Sequence, residues 1–368
     1  MGQSFAVPNS PKIRLGIALP GGGVLGAFTA GVVNALSHHT AFCQSLANSH
    51  ITIDVISGTS AGAVQGSILA GHLNAGQTAG FHAGQSMKNA ARGLAHLWDR
   101  IESSGRLAHC FSRATMTCGT YPNLSLFEQM AFQSSVAMLP SGTVPGWIAR
   151  TVQDLVPDWH DLAHGLTELQ VNAVRVQARK APEHVIFRRA SLTPGAIAAS
   201  TALERFGGYK IGQDVYYDGG YAANPYLDPQ DLADRGITDV IAMPLCAPPP
   251  HILADTSLCT HFRPHSARTK PKMEDIYQRL AQLREDQPGI RQHIIALTPE
   301  RHWNESAAMN NDGHFIQDLM TAGANAAAHW LQNDFASLVA APAAAPELAE
   351  LANIRYHEPH VELVPKAA

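Results

Sequence analysis

Charge is scarce in this 368-residue sequence, where only 15% of positions are Asp, Glu, Lys or Arg. The 30 acidic and 26 basic residues nearly cancel, leaving a net charge of −4, and no basic stripe stands out. That excludes an electrostatic nucleic-acid surface and leaves no acidic solvating arm. Long apolar runs are missing too: no stretch of about 18 apolar residues exists, so no helix is expected to span a bilayer. The first twenty residues lack a charged start, an apolar run and a cleavage site, so no signal peptide is predicted. Cysteines number five, at Cys43, Cys110, Cys118, Cys246 and Cys259, with wide spacing and no C-x-x-C pair. A disulfide framework or zinc site is therefore not expected, and a reducing, cytoplasmic setting is. No H-E-x-x-H or other metal-ligand spacing occurs. Neither a metal nor a cofactor is predicted.

Apolar residues make up 45% of the chain, enough to bury a large core. Ile13 to Leu19 reads as a strand running into Pro20 and three glycines. Leu25, Phe28, Val32 and Leu36 then recur at helical spacing. A second strand, Ile53 to Ile56, meets Ser57-Gly58-Thr59-Ser60, and a small-residue helix follows from Ala61 to about Leu73. Further strand-like runs fall at Val171–Ala178, His184–Arg188, Asp214–Tyr217, Val240–Leu245 and His293–Leu297, with helical stretches between several of them. Phe315 to Leu331 reads as a helix with Ile316, Leu319, Met320, Gly323, Ala327 and Trp330 on one side. Strands alternating with helices predict an α/β fold, a mainly parallel central sheet with helices on both faces.

The organisation follows from composition. Residues 1–11 are polar and read as a loose N-terminal arm, and 12–332 as the main domain. Within it, 74–165 is a mostly helical covering insertion. Residues 247–272, with Ala-Pro-Pro-Pro and then Arg263, Arg268, Lys270 and Lys272, read as a mobile loop. The Ala- and Pro-rich 337–348 opens up a C-terminal extension covering 333–368.

Gly21-Gly22-Gly23-Val24-Leu25-Gly26 lies between a strand and a helix. Main-chain N–H groups at such a helix start point outward together, and glycine lets the backbone approach a ligand closely. The loop suits an anion, either a phosphate or the oxyanion of acyl transfer. It also spells the dinucleotide fingerprint G-x-G-x-x-G, which requires an acidic residue at the end of the next strand. Asp54 is the nearest candidate and lies near that strand's beginning. A nucleotide, an oxyanion and a merely tight turn all stay open on this motif.

Gly58-Thr59-Ser60-Ala61-Gly62 fits G-x-S-x-G between a strand and a helix, the context of a nucleophile elbow. Adjacent parallel strands would bring both glycine turns to one sheet edge, with N–H donors beside a serine hydroxyl. Acyl transfer needs that pairing. A base must also be supplied. Too few residues precede Ser60 for ordinary α/β-hydrolase topology, and His293, His302 and His314, although in the right order, lie in undistinguished settings. Asp218, in Tyr217-Asp218-Gly219-Gly220, ends a strand and can be aimed into a cleft, although Asp-Gly is also a common turn. A carboxylate is a weak base, and partial burial with a short hydrogen bond would make it adequate.

Taken in order, these elements resemble the patatin-like phospholipase family, with its glycine loop, G-x-S-x-G and D-G-G aspartate. Ala198-Ala199-Ser200-Thr201-Ala202 through Phe206 resembles the segment that leads into the aspartate strand, and Asn224-Pro225 and the helix with Gly323 and Ala327 also suit the family. The resemblance spans about residues 12–332. It implies a patatin-like three-layer fold and a lipid acyl hydrolase of the lipase or phospholipase A type. Ser60 and Asp218 would form a catalytic dyad and Gly21, Gly22 and Gly23 an oxyanion hole. Gly58 and Gly62 would flank the elbow, and Gly219 and Gly220 complete the aspartate motif. The substrate would be an acyl ester met in transient contact with a membrane or lipid particle. Leu25 stands where the family often has Arg, and Glu204 where it often has Pro. The alternatives are a non-catalytic scaffold that binds lipid or protein and, behind it, a nucleotide-binding protein that uses the G-x-G-x-x-G loop.

Overall fold

A computed structural model describes residues 13–113, 123–124, 129–130, 138–178, 180–204, 207–246, 275–298, 305–340 and 362–364. Phe206, His302 and the segment 247–272 lie outside them, as does the 1–11 arm. The strands are β1 (Ile13–Leu19), β2 (Ile51–Gly58), β3 (Glu168–Val176), β4 (Glu183–Arg188), β5 (Tyr209–Ile211), β6 (Asp214–Asp218), β7 (Asp239–Ala242), β8 (Arg291–Ile294) and β9 (Glu362–Val364). The helices are α1 (Ala27–His38), α2 (Thr40–Ala47), α3 (Ala61–Thr78), α4 (Ala83–Arg113), α5 (Thr143–Leu155), α6 (Trp159–His164), α7 (Pro194–Ser200), α8 (Pro229–Asp234), α9 (Asp275–Asp286), α10 (Gly313–Asn333) and α11 (Phe335–Ala340).

The central strands β3-β2-β1-β7-β8 pair in parallel, while β4, β5, β6 and β9 add antiparallel pairings at one end. Alternation along each strand sends side chains to two different cores. Leu15, Ile17 and Leu19 of β1 and Ile56 of β2 join α1, α3, α4 and α10 on one face. Ala18 and Val55 turn the other way, toward Leu232 of α8 and Ile276, Leu280 and Leu283 of α9. The protein is thus a three-layer α/β fold with helices on both faces. On α10, Ile316, Leu319, Gly323, Ala327 and Trp330 are buried, as their helical spacing predicts, along with Phe315, while Met320 of the predicted side is half-buried against the core.

Several strands start earlier than their apolar runs suggest. β3 begins at Glu168, which is buried and paired with Arg189 and Arg235. β7 begins at Asp239, fully buried and bound by Arg291 and His293. An acid neutralised by arginine can open a buried strand, so charge at these positions does not mark a loop.

Parallel pairing aligns the strand ends at one rim: Leu19 stands opposite Gly58, and Ala18 opposite Ala242. No helix among the described residues is long and apolar enough to cross a membrane.

Candidate active site

β3 acts as the ruler of the site. β4 occupies one edge of β3 from Gln170 to Arg175, so β2 and β6 must both pair with the other edge. They do so end to end. β2 runs parallel and stops with Gly58 opposite Val171, and β6 runs antiparallel and stops with Asp218 opposite Ala173. Two positions along a strand span about 6–7 Å. The serine elbow and the aspartate motif therefore emerge beside one another.

After Gly58 the chain turns sharply into α3. Ser60 has φ 52° and ψ −120°, a backbone conformation that side chains rarely adopt, and it is half-buried. The turn is clamped: Thr59 N–H donates to Leu19 C=O at 3.1 Å, Gly62 N–H to Thr59 C=O at 2.8 Å, and Ser60 N–H to Ser200 Oγ at 3.0 Å. Gly62 lies so close to β1 that a Cβ there would stand 2.0 Å from the Leu19 oxygen, which requires glycine. Ser200 ends α7, and the same stretch holds the aspartate strand through Asp218 N–H donating to Ala202 C=O at 2.8 Å.

The first glycine loop folds over the serine. A Cβ on Gly21 would stand 2.7 Å from Ser60 Cβ, so any side chain there would force the loop or the serine to shift. Gly21 N–H donates to Asn224 Oδ1 at 2.5 Å, and Asn224 Nδ2 returns to Gly21 C=O at 3.2 Å. Gly22 precedes a 3₁₀ turn, Gly23–Gly26, that leads into α1. Among the described residues, the N–H groups of Gly22 and Gly23 have no acceptor.

Asp218 is 3% exposed, and its Oδ1 accepts from Gly220 N–H at 2.8 Å. Gly219 and Gly220 are buried in a 3₁₀ turn. Among the described residues the Ser60 hydroxyl makes no hydrogen bond, to Asp218 or to any other group. Such bonds commonly tighten only once substrate is bound.

The other predicted residues fall elsewhere. His293 bonds Asp239, at the opposite end of β7 from the glycine loop, and His314 starts α10 under an Asp312 cap. Asp54 is paired with Arg14 back along β2 and is remote from the glycine loop. A dinucleotide ribose would find no carboxylate from it there. The histidine that comes near is His184 of β4, whose Nε2 lies 3.3 Å from the Asn172 amide and whose ring meets Tyr226 edge-on. Burial and the Arg279 charge lower its pKa to about 4, so it is neutral at pH 7. Neither His184 nor Asn172 carries a sequence motif. The one signal is polar Asn172 within the apolar run of β3.

Asp158, His160 and Asp161 cluster at the exposed start of α6, where the Asp158 carboxylate caps the N–H groups of the other two. A cleft of ≈ 600 Å³ between α4 and α5, lined by Arg100, Ser104, Trp147, Arg150 and Asp154, contains none of the motif residues.

With this geometry in place, the family model of patatin-like phospholipases matches residues 17–229, more than half of the chain. The chain belongs to the patatin-like phospholipase family. This is a family of lipid acyl hydrolases, and the matched span holds the glycine loop, the serine elbow and the D-G-G strand. No curated protein matches the chain. Among solved structures it is similar to the heterodimeric complex ExoU–SpcU from the type III secretion system of Pseudomonas aeruginosa, with 15% identity and a TM-score of 0.34. That alignment covers 88% of this patatin-like chain and 52% of the other, so the chain spans about half the length of the protein it matches.

Proposed function

We propose that this patatin-like protein hydrolyses acyl esters of lipids, with Ser60 as nucleophile and Asp218 as base. The observation that carries the reading is the shared edge of β3, on which Gly58 and Asp218 end two residues apart. Ser60 Oγ attacks the ester carbonyl as its proton passes to the Asp218 carboxylate. The oxyanion is held by the N–H groups of Gly22 and Gly23, while Gly21, its own N–H bound to Asn224, keeps the loop against the serine. Collapse expels the alcohol, which takes the proton from Asp218. Asp218 then deprotonates a water that hydrolyses the acyl-enzyme, restoring Ser60. The substrate would come from a membrane or lipid-particle surface in transient contact.

The test is labelling by a fluorophosphonate ester, followed by mass spectrometry of the modified peptide. Wild type should be modified at Ser60, Ser60→Ala should not react, and Asp218→Asn should lose about 10³-fold or more in esterase kcat. Full activity in Asp218→Asn would sink the dyad.

A further inference from the structure

Between the end of β2 and the end of β6, one residue of β3 has no partner on that edge. Gly58 pairs with Val171 and Asp218 with Ala173, which leaves Asn172 in the notch between them. It is fully buried. Its side chain fills the gap with three bonds to two loops. Nδ2 donates to Gly219 C=O at 3.0 Å and to Ala223 C=O at 2.8 Å, and Oδ1 accepts from the Thr59 hydroxyl. Two carbonyl acceptors fix which end of the amide is nitrogen, because a reversed amide would set oxygen against oxygen.

Thr59 directly precedes Ser60, and Gly219 directly follows Asp218. An apolar residue at 172 would break these bonds together: Gly219 C=O would keep its Ala222 and Ala223 N–H donors and Ala223 C=O the longer bond from the Thr59 hydroxyl at 3.3 Å, but the amide that spans the two loops would be gone. We infer that Asn172 is a positioning residue, a clamp that sets the separation of the Ser60 and Asp218 loops while hydrogen-bonding to neither residue. The inference rests on the dyad reading above. Proton transfer between two groups that must close up on substrate is sensitive to such spacing, and a displacement of about 1 Å can cost about 10²-fold in rate.

The experiment compares Thr59→Val, Thr59→Ser, Asn172→Leu and the Thr59→Val/Asn172→Leu double variant with wild type, using a soluble p-nitrophenyl ester and thermal unfolding. Thr59→Val deletes one end of the clamp, together with the longer Thr59 bond to Ala223 C=O at 3.3 Å, and leaves the Asn172 amide bonds to the carbonyls in place, so it carries the test if Asn172→Leu does not fold. The expected result is a loss of about 10²-fold in kcat for Thr59→Val with KM within about twofold. Thr59→Ser should restore kcat, and the double variant should be no slower than Asn172→Leu alone, because Asn172→Leu already removes the acceptor through which Thr59 joins the clamp. Folded variants that keep wild-type kcat, or losses that add in the double variant, overturn the clamp alone. A wild type that is inactive and unlabelled at Ser60 overturns the dyad and the clamp together.

Discussion

Asn224 grips Gly21 at both of its main-chain polar groups, accepting from the N–H and donating to the C=O across 203 positions of sequence. The same residue is tied from behind, its own N–H donating to the buried Asp275 carboxylate at 2.9 Å. The glycine loop is thus held against the serine by a single amide side chain that follows the aspartate motif. Asn224→Ala would leave the Gly21 groups without partners in a buried setting, at a cost of about 1–3 kcal/mol. Urea unfolding should show that loss. Fluorophosphonate labelling of Ser60 should slow as the loop loosens, and unchanged labelling would mean that the loop holds its place without Asn224.

Gly21→Ala should act on chemistry more than on stability. Its new methyl group would sit 2.7 Å from Ser60 Cβ, well inside contact distance, so either the loop or the serine must move. Overpacking of this kind costs about 1–3 kcal/mol, while a misplaced nucleophile costs about 10²-fold in rate. The expected outcome is a large fall in kcat with Ser60 still unfolding cooperatively as part of the domain. The comparison of kcat with the urea midpoint checks it.

Much of this was legible from residue patterns because the patterns are local. β1 from Ile13 to Leu19, the turn at Ser60 and the strand before Gly219 each announce themselves through period and glycine spacing. The charged starts of β3 and β7 do not, since Glu168 and Asp239 are acceptable inside only because distant arginines reach them. Asn172 was hidden for a related reason. Its role depends on β2 and β6 meeting head-on along β3, which is a property of register between segments far apart in sequence. His184 near the site follows from the β3–β4 pairing, again a tertiary fact.

His184 gives a pH dependence with a definite sign. Burial first, and then the Arg279 charge, lower its pKa to about 4, with Asp275 opposing. An unfolded-chain histidine titrates near 6.5. Between these values the unfolded chain binds a proton that the folded chain refuses. The neutral His184 contribution is therefore complete above about pH 6.5, shrinks as the pH falls, and is fully lost by about 4. At pH 5 the expected loss is ~2 kcal/mol. Urea unfolding at pH 7 and pH 5 should show a smaller acid-induced drop in His184→Gln than in wild type. An equal drop in both would remove His184 from the account.

Ser60 supplies the remaining prediction, because its backbone works against stability. A serine at φ 52° and ψ −120° pays for its conformation, whereas glycine adopts it freely. Loss of a side chain also raises the entropy of the unfolded chain, which offsets part of the relief. Ser60→Gly should still come out ahead by about 1 kcal/mol, raising Tm by about 1–2 °C for a chain of this length, whereas Ser60→Ala keeps a Cβ in the same strained position and should gain less. Both variants should lose esterase activity and fluorophosphonate labelling altogether. A rise in Tm together with dead chemistry is what a residue held for reactivity at the expense of stability would give. If Ser60→Gly instead melts below wild type, the strain at the elbow is not what its dihedral angles imply.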